Sequence, residues 1–162
     1  MATSVENATL TVTVKEQLYL NGKDRGSETT HTFNFVDEVM SFIKTCPDDA
    51  STLLFTFDTT PATTASNLVV GDVKYIRLTN LDTSVDCEIV LTEPTAAGGS
   101  QNAIHKLGPG QSYILMTGVD NTFKIGTALT GGSATASMAD ITAIEAHCYD
   151  GAVDIEVFVA SV

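Results

Sequence analysis

Polar and apolar positions alternate along most of this chain with a period of two. Leu10, Val12 and Val14 stand between Thr9, Thr11 and Thr13, the pattern of a strand with one buried and one solvated face. Leu18 and Leu20 continue it up to Asn21-Gly22-Lys23-Asp24-Arg25-Gly26, a turn with two glycines free to take positive φ. Alternation returns from Thr29 to Phe35. Further strand-like stretches run from Thr52 to Phe57, Val73 to Asn80, Val85 to Thr92, Ile104 to Leu107, Tyr113 to Thr117, Ile141 to Cys148 and Val153 to Ala160. Between them, Asp58 to Thr64, Glu93 to Ala103 and Ala128 to Ala139 read as loops, the last a Gly- and Thr-rich stretch of small residues. One segment fits two periods. Val36, Val39, Met40 and Ile43 recur at helical spacing behind Asp37 and Glu38, yet Met40, Phe42 and Cys46 would share one face of a strand. We read it as a strand, or a short helical turn leading into one.

About nine short strands with turn signals between them, and no regular alternation with helices, predict an all-β fold, an antiparallel two-sheet sandwich. Two junctions carry sharper expectations. If Val73–Asn80 and Val85–Thr92 form a hairpin, Leu78 lies opposite Cys87, Ile76 opposite Ile89, and Arg77 opposite Glu88. At the C-terminal end, a tight turn at Asp150-Gly151 would set Glu145 against Glu156, a destabilising pair of like charges. The last two strands are therefore expected in different sheets.

Composition reinforces the β reading. Threonine supplies roughly one residue in seven and tryptophan is absent; β-branched side chains suit pleated surfaces better than helices. A length of 162 residues suits a single domain, with 1–7 as an N-terminal arm and 8–162 as the β-sandwich. Eight basic and 20 acidic residues leave a net charge of −12. That sign repels phosphate backbones and anionic lipid, so nucleic acid and membrane are not expected partners. The opening Met1-Ala2-Thr3-Ser4-Val5-Glu6 lacks a basic region followed by an apolar run, so no secretory signal is read there. Without secretion, Asn7-Ala8-Thr9 is not read as a glycosylation acceptor. Cys46, Cys87 and Cys148 form an odd set without C-x-x-C spacing. They read as three buried small hydrophobes in a reducing compartment, with one bridge plus one free thiol as the alternative.

No catalytic, cofactor-binding or metal-ligating residue is assigned, and the chain is not expected to be an enzyme. The sequence has no G-x-S-x-G elbow, H-E-x-x-H, Walker loop or G-x-G-x-x-G. Gly108-Pro109-Gly110-Gln111-Ser112 resembles a phosphate loop only loosely, because Pro109 removes a backbone donor and no helix pattern follows. His31, His105 and His147 each sit alone on a strand, and neighbouring His147 and Cys148 point to opposite faces. Asp48-Asp49, Asp82 with Asp86, Asp120-Asn121, and Asp150 with Asp154 stand at turns, where acids serve solvation and Asx hydrogen bonds more often than calcium.

The stretch Val73-Lys74-Tyr75-Ile76-Arg77-Leu78-Thr79-Asn80-Leu81-Asp82, leading into a second strand, resembles a pattern of structural proteins from marine tailed phages, cyanophages in particular. Leu20-Asn21-Gly22-Lys23-Asp24-Arg25-Gly26-Ser27, Leu107-Gly108-Pro109-Gly110-Gln111-Ser112-Tyr113-Ile114-Leu115 and Ala152-Val153-Asp154-Ile155-Glu156-Val157-Phe158-Val159-Ala160 are similar in the same order and span most of the chain. None is a catalytic motif. The resemblance implies a jelly-roll-like sandwich and a virion structural protein that decorates the outer capsid shell. Such a protein would be made in the bacterial host cytoplasm, with the major capsid protein and its own copies as partners. A homo-oligomer, a trimer matching local three-fold positions, is expected. Its interface should use apolar side chains on an outward strand face or in Ala128–Ala139. The rival reading is a tail-fibre or lectin-like host-recognition module. Aromatic rings in the loops would favour it, but only Phe123 and Tyr149 lie near loops in this reading.

Overall fold

The computed structural model describes residues 7–58, 67–94, 100–117, 123–126 and 138–162, and among these it contains strands and no helix. The strands are β1 (Ala8–Lys15), β2 (Tyr19–Leu20), β3 (Lys23–Asp24), β4 (Glu28–Val36), β5 (Glu38–Cys46), β6 (Ala50–Asp58), β7 (Asn67–Val69), β8 (Val73–Asn80), β9 (Cys87–Pro94), β10 (Ser100–Leu107), β11 (Ser112–Met116), β12 (Lys124–Gly126), β13 (Met138–Asp140), β14 (Ala143–Cys148) and β15 (Val153–Ser161). One antiparallel sheet has the order β11-β8-β15-β5, and a second contains β10-β9-β14. β6 lies along β14, with the Asp49 and Phe57 N–H groups donating to the Cys148 and Thr142 carbonyls at 2.8 Å. β7 adds to β6 as its parallel neighbour.

These sheets enclose one apolar core. Val153, Ile155, Val157 and Val159 of β15, with Ile76 and Leu78 of β8, contribute from one side. Ile89 and Leu91 of β9, Ile144 and Ala146 of β14, and Phe55 of β6 belong to the same core from the other. Each such side chain contributes roughly 1.5–3 kcal/mol on burial, which gives the sandwich its stability. The segment with two periods is strand β5. It pairs with β15 along its whole length, from Glu38 opposite Ser161 to Cys46 opposite Val153, and turns Met40, Phe42 and Cys46 to the core. A ladder of that length outweighs a helical repeat of four apolar residues.

The expected hairpin between β8 and β9 does not form. β8 pairs with β11 and β15, whereas β9 pairs with β10 and β14. Leu78, Ile76, Cys87 and Ile89 do share the core, but from opposite sheets. The cause is a polar knot in the link. Buried Asn80 donates through Nδ2 to the carbonyls of Val85 at 2.8 Å and Leu107 at 3.2 Å. Its Oδ1 accepts from the Asp82 N–H at 2.9 Å, and Asp82 Oδ1 accepts from the N–H groups of Ser84 and Val85, each at 2.7 Å. The backbone bond from Ser84, followed by that from Val85, holds the Asp82 carboxyl below its ordinary range. This Asx turn carries the chain over the rim of the sandwich rather than back alongside β8. Arg77 therefore meets Glu156 at 2.8 Å, and Glu88 accepts from the Tyr149 hydroxyl at 3.0 Å.

At the other junction the expectation holds. β14 and β15 belong to different sheets, with Gly151 at φ +139° between them. Glu145 accepts from Ser51 while Glu156 pairs with Arg77, so the two carboxylates are separated. The described residues of the Glu93–Ala103 stretch, by contrast, are strand. β9 continues to Pro94 and β10 begins at Ser100, with Glu93 only 5% exposed and Ala103 packed on the core. The residue pattern there is too polar to reveal a strand whose partner is its own hairpin mate. Residues 1–6, 95–99 and most of Ala128–Ala139 lie outside the described residues.

Candidate interaction surface

The chain enters the sandwich through a long β-hairpin. β1 and β4 pair from Lys15 opposite Glu28 down to Ala8 opposite Val36. Beyond them the Glu16 N–H donates to Ser27 and the Arg25 N–H to Leu18, both at 2.7 Å. β2 and β3 then pair Leu20 with Lys23 around Asn21 and Gly22, whose φ values of 51° and 73° are those of a two-residue type I′ turn. At about 3.3 Å per residue, Ala8 to Leu20 spans roughly 40 Å.

One face of this arm carries Leu10, Val12, Val14 and Phe33, with His31 and Thr29 among them, and the other carries Thr11, Thr13, Thr30 and Thr32. At its root the apolar face sits on the outside of the four-stranded sheet. Leu10, Val12 and Phe33 pack there with Tyr75, Phe158 and Met116, around buried Val36 and Ala160. Tyr75 stands at the centre, its ring 6.3 Å from Phe33 and 6.0 Å from Phe158. Burial raises the Tyr75 hydroxyl pKa, against a smaller opposing pull from Arg77. A groove of about 280 Å³ runs where the arm leaves the sheet, lined by Leu10, Val12, Tyr75, Arg77 and Phe158.

Further out the arm's apolar side chains lose contact with the body. Val14, Leu18 and Leu20 are exposed, and Tyr19 is 72% exposed. Sequence reasoning placed Tyr19 and Phe35 among strand residues, as they are, but the alternation does not tell whether a partner covers them. Phe35 sits at a bulge, with φ +65°, and is 69% exposed. A bulky residue in the left-handed region costs about 1–2 kcal/mol. The outer face of the same sheet has a matching bare region. Val39 and Ile43 of edge strand β5 are 56% and 62% exposed, and Ile114 of β11 is partly so.

The other candidate positions fall elsewhere and stay apart. His31 is exposed on the arm; His105 stacks on Tyr113 at 4.5 Å, and His147 lies 4.2 Å from Tyr149. Gly108-Pro109-Gly110-Gln111 is a turn with Gly110 at φ +67°. Its Gly108 N–H is taken by Gln111 Oε1 at 2.9 Å, so that donor is spent within the loop. Asp48 Oδ1 accepts from the Gly151 N–H at 2.9 Å, Asp86 pairs with Lys106, and Asp154 accepts from Thr45. Asp120 and Asn121 lie outside the described residues. Among the described residues no three His, Cys, Asp or Glu side chains are placed to hold a metal ion.

The three cysteines are free and buried, and they converge. Cys148 is the cross-strand partner of Cys87, and Cys46 Sγ approaches the Ala146 carbonyl at 3.2 Å. Burial pushes the Cys87 thiol up to about 12, with further contributions from Cys46 and Asp86. Cys148 is raised too, by burial first and by its hydrogen bond with Cys46 second. Thiols so far from ionisation are poor nucleophiles and poor ligands; they pack as apolar side chains.

Comparison with protein-family models, curated proteins and solved structures finds no match for this chain.

Proposed function

We propose that this protein is a non-enzymatic virion structural protein, a capsid decoration subunit on the outer shell of a tailed phage, acting as a homo-oligomer, most simply a trimer. The observation that carries this reading is the arm: a projecting hairpin with an uncovered apolar tip, attached to a sandwich whose own outer face is partly bare. Those are the features of a subunit that meets other subunits. The similarity of the Val73–Asp82 and C-terminal stretches to phage structural proteins supports the same conclusion. Repeated crossing between sheets, β8 to β9 and β14 to β15, supports a jelly-roll-like order. Three free, buried cysteines suit folding in a reducing host cytoplasm. Several linked copies would gain avidity for the major capsid protein that one small domain lacks.

A tail-fibre or lectin-like module is the second reading, favoured by one observation. Tyr149 is exposed, with His147 beside its ring and Glu88 on its hydroxyl, an aromatic-and-carboxylate pairing of the sort that holds sugars. Co-sedimentation separates the two. Saturable binding to capsids stripped of this protein, with no retention on host polysaccharide, is expected; the reverse pattern would transfer the function to host recognition.

A further inference from the structure

We infer that the apolar side of the arm tip of one copy, Leu18 and Leu20, docks on the outer face of the four-stranded sheet of a second copy, beside Val39 and Ile43 and at the groove next to Phe158. This rests on the homo-oligomer reading and names its contact. A two-stranded hairpin is marginal in water unless a third layer covers its apolar side. In this chain the root of the arm has that layer and the tip does not. The root also shows what the layer consists of, since Leu10, Val12 and Phe33 are already seated on this same sheet face. The bare remainder of that face is thus of the chemistry that the arm's apolar side accepts.

Charge selects a second copy through its arm and against body-to-body contact. Residues 8–36 carry Lys15, Lys23 and Arg25 against three acids and are neutral, whereas residues 37–162 carry five basic and 16 acidic side chains. Two bodies at −11 repel each other. A neutral arm with three of the chain's eight cations approaches a body against less repulsion than a second body would meet. β5 adds a geometric reason. It is the edge of its sheet and nine residues long with exposed apolar side chains, an edge that soluble chains keep covered. Tip and face are different patches, so the contact is heterologous and closes into a ring when the rotation allows.

Sedimentation velocity on the full chain and on two variants tests this. The tip variant is Leu18→Ser with Leu20→Ser; the face variant is Ile43→Lys. All three residues are exposed, so circular dichroism and melting temperature of the monomer should not change. Each variant alone should be monomeric at concentrations where the natural chain is assembled, with dissociation at least ~100-fold easier once the tip loses two apolar side chains or the face must bury a lysine in place of one. Mixing the two variants should restore one intact contact per pair and give a one-to-one dimer that goes no further. Assembly unchanged in both variants, or no dimer on mixing, overturns the proposed contact while leaving the homo-oligomer standing. A natural chain that is monomeric at all concentrations overturns the homo-oligomer reading itself.

Discussion

Asn80 is the residue whose chemistry most shapes the path of this chain. Its buried amide satisfies two carbonyls and one N–H, and removing it orphans all three. Asn80→Ala is expected to cost at least about 3 kcal/mol in urea unfolding, since three groups lose their partner and each buried unpaired polar group costs roughly 1–3 kcal/mol. Asn80→Asp should cost more at neutral pH than in acid, because a carboxylate would face two carbonyl oxygens. The buried thiols give a second test. At pH 8 none of Cys46, Cys87 or Cys148 should react with a disulfide reagent until the protein unfolds, after which all three should. For Cys87 and Cys148 the sign of the pH effect follows from pKa values raised in the fold. The unfolded thiol ionises near ~8.5 and Cys87 only near about 12. Their contribution to stability is full below pH ~8.5 and is lost as pH rises toward 12. A melting temperature that climbs between pH 9 and 11 would contradict this.

Among the elements, the strands were readable and their partners were not. Val153, Ile155, Val157 and Val159 show period two, and β15 is buried as that pattern requires. Val73 to Asn80 is equally clear, yet period two says which side chains share a face and nothing of which strand lies alongside. The side-chain bonds of Asn80 and Asp82 decide that, and an Asn in a turn looks the same whether it caps a hairpin or a crossing. Likewise Leu18 and Leu20 alternate as Leu10 and Val12 do; only the position of the body distinguishes a covered strand from a bare one. The all-β sandwich was therefore legible, while the arm as an interaction surface was not, although Asn21-Gly22 marked its tip. Gly26 tests the arm as an element. A Cβ there would meet the Glu16 carbonyl oxygen at 2.0 Å, which no rotamer can relieve. Gly26→Ala should disorder the tip pairing of β2 with β3, seen as lost amide protection over 16–27, while the sandwich amides keep theirs.

For the whole molecule, a net charge of −12 governs how copies meet. If assembly joins a neutral arm to an acidic body, the long-range term between copies is still repulsive, and salt should relieve it. Raising ionic strength from about 0.02 to 0.2 M shortens the screening length from roughly 20 to 7 Å and should strengthen self-association; weakening would point to assembly through ion pairs instead. The central claim concerns place as well as contact, and one measurement addresses it most directly: immunogold labelling of purified virions with an antibody to this protein, viewed by electron microscopy. The account predicts gold distributed over the capsid shell. Gold confined to tail fibres, or virions left unlabelled, would contradict it.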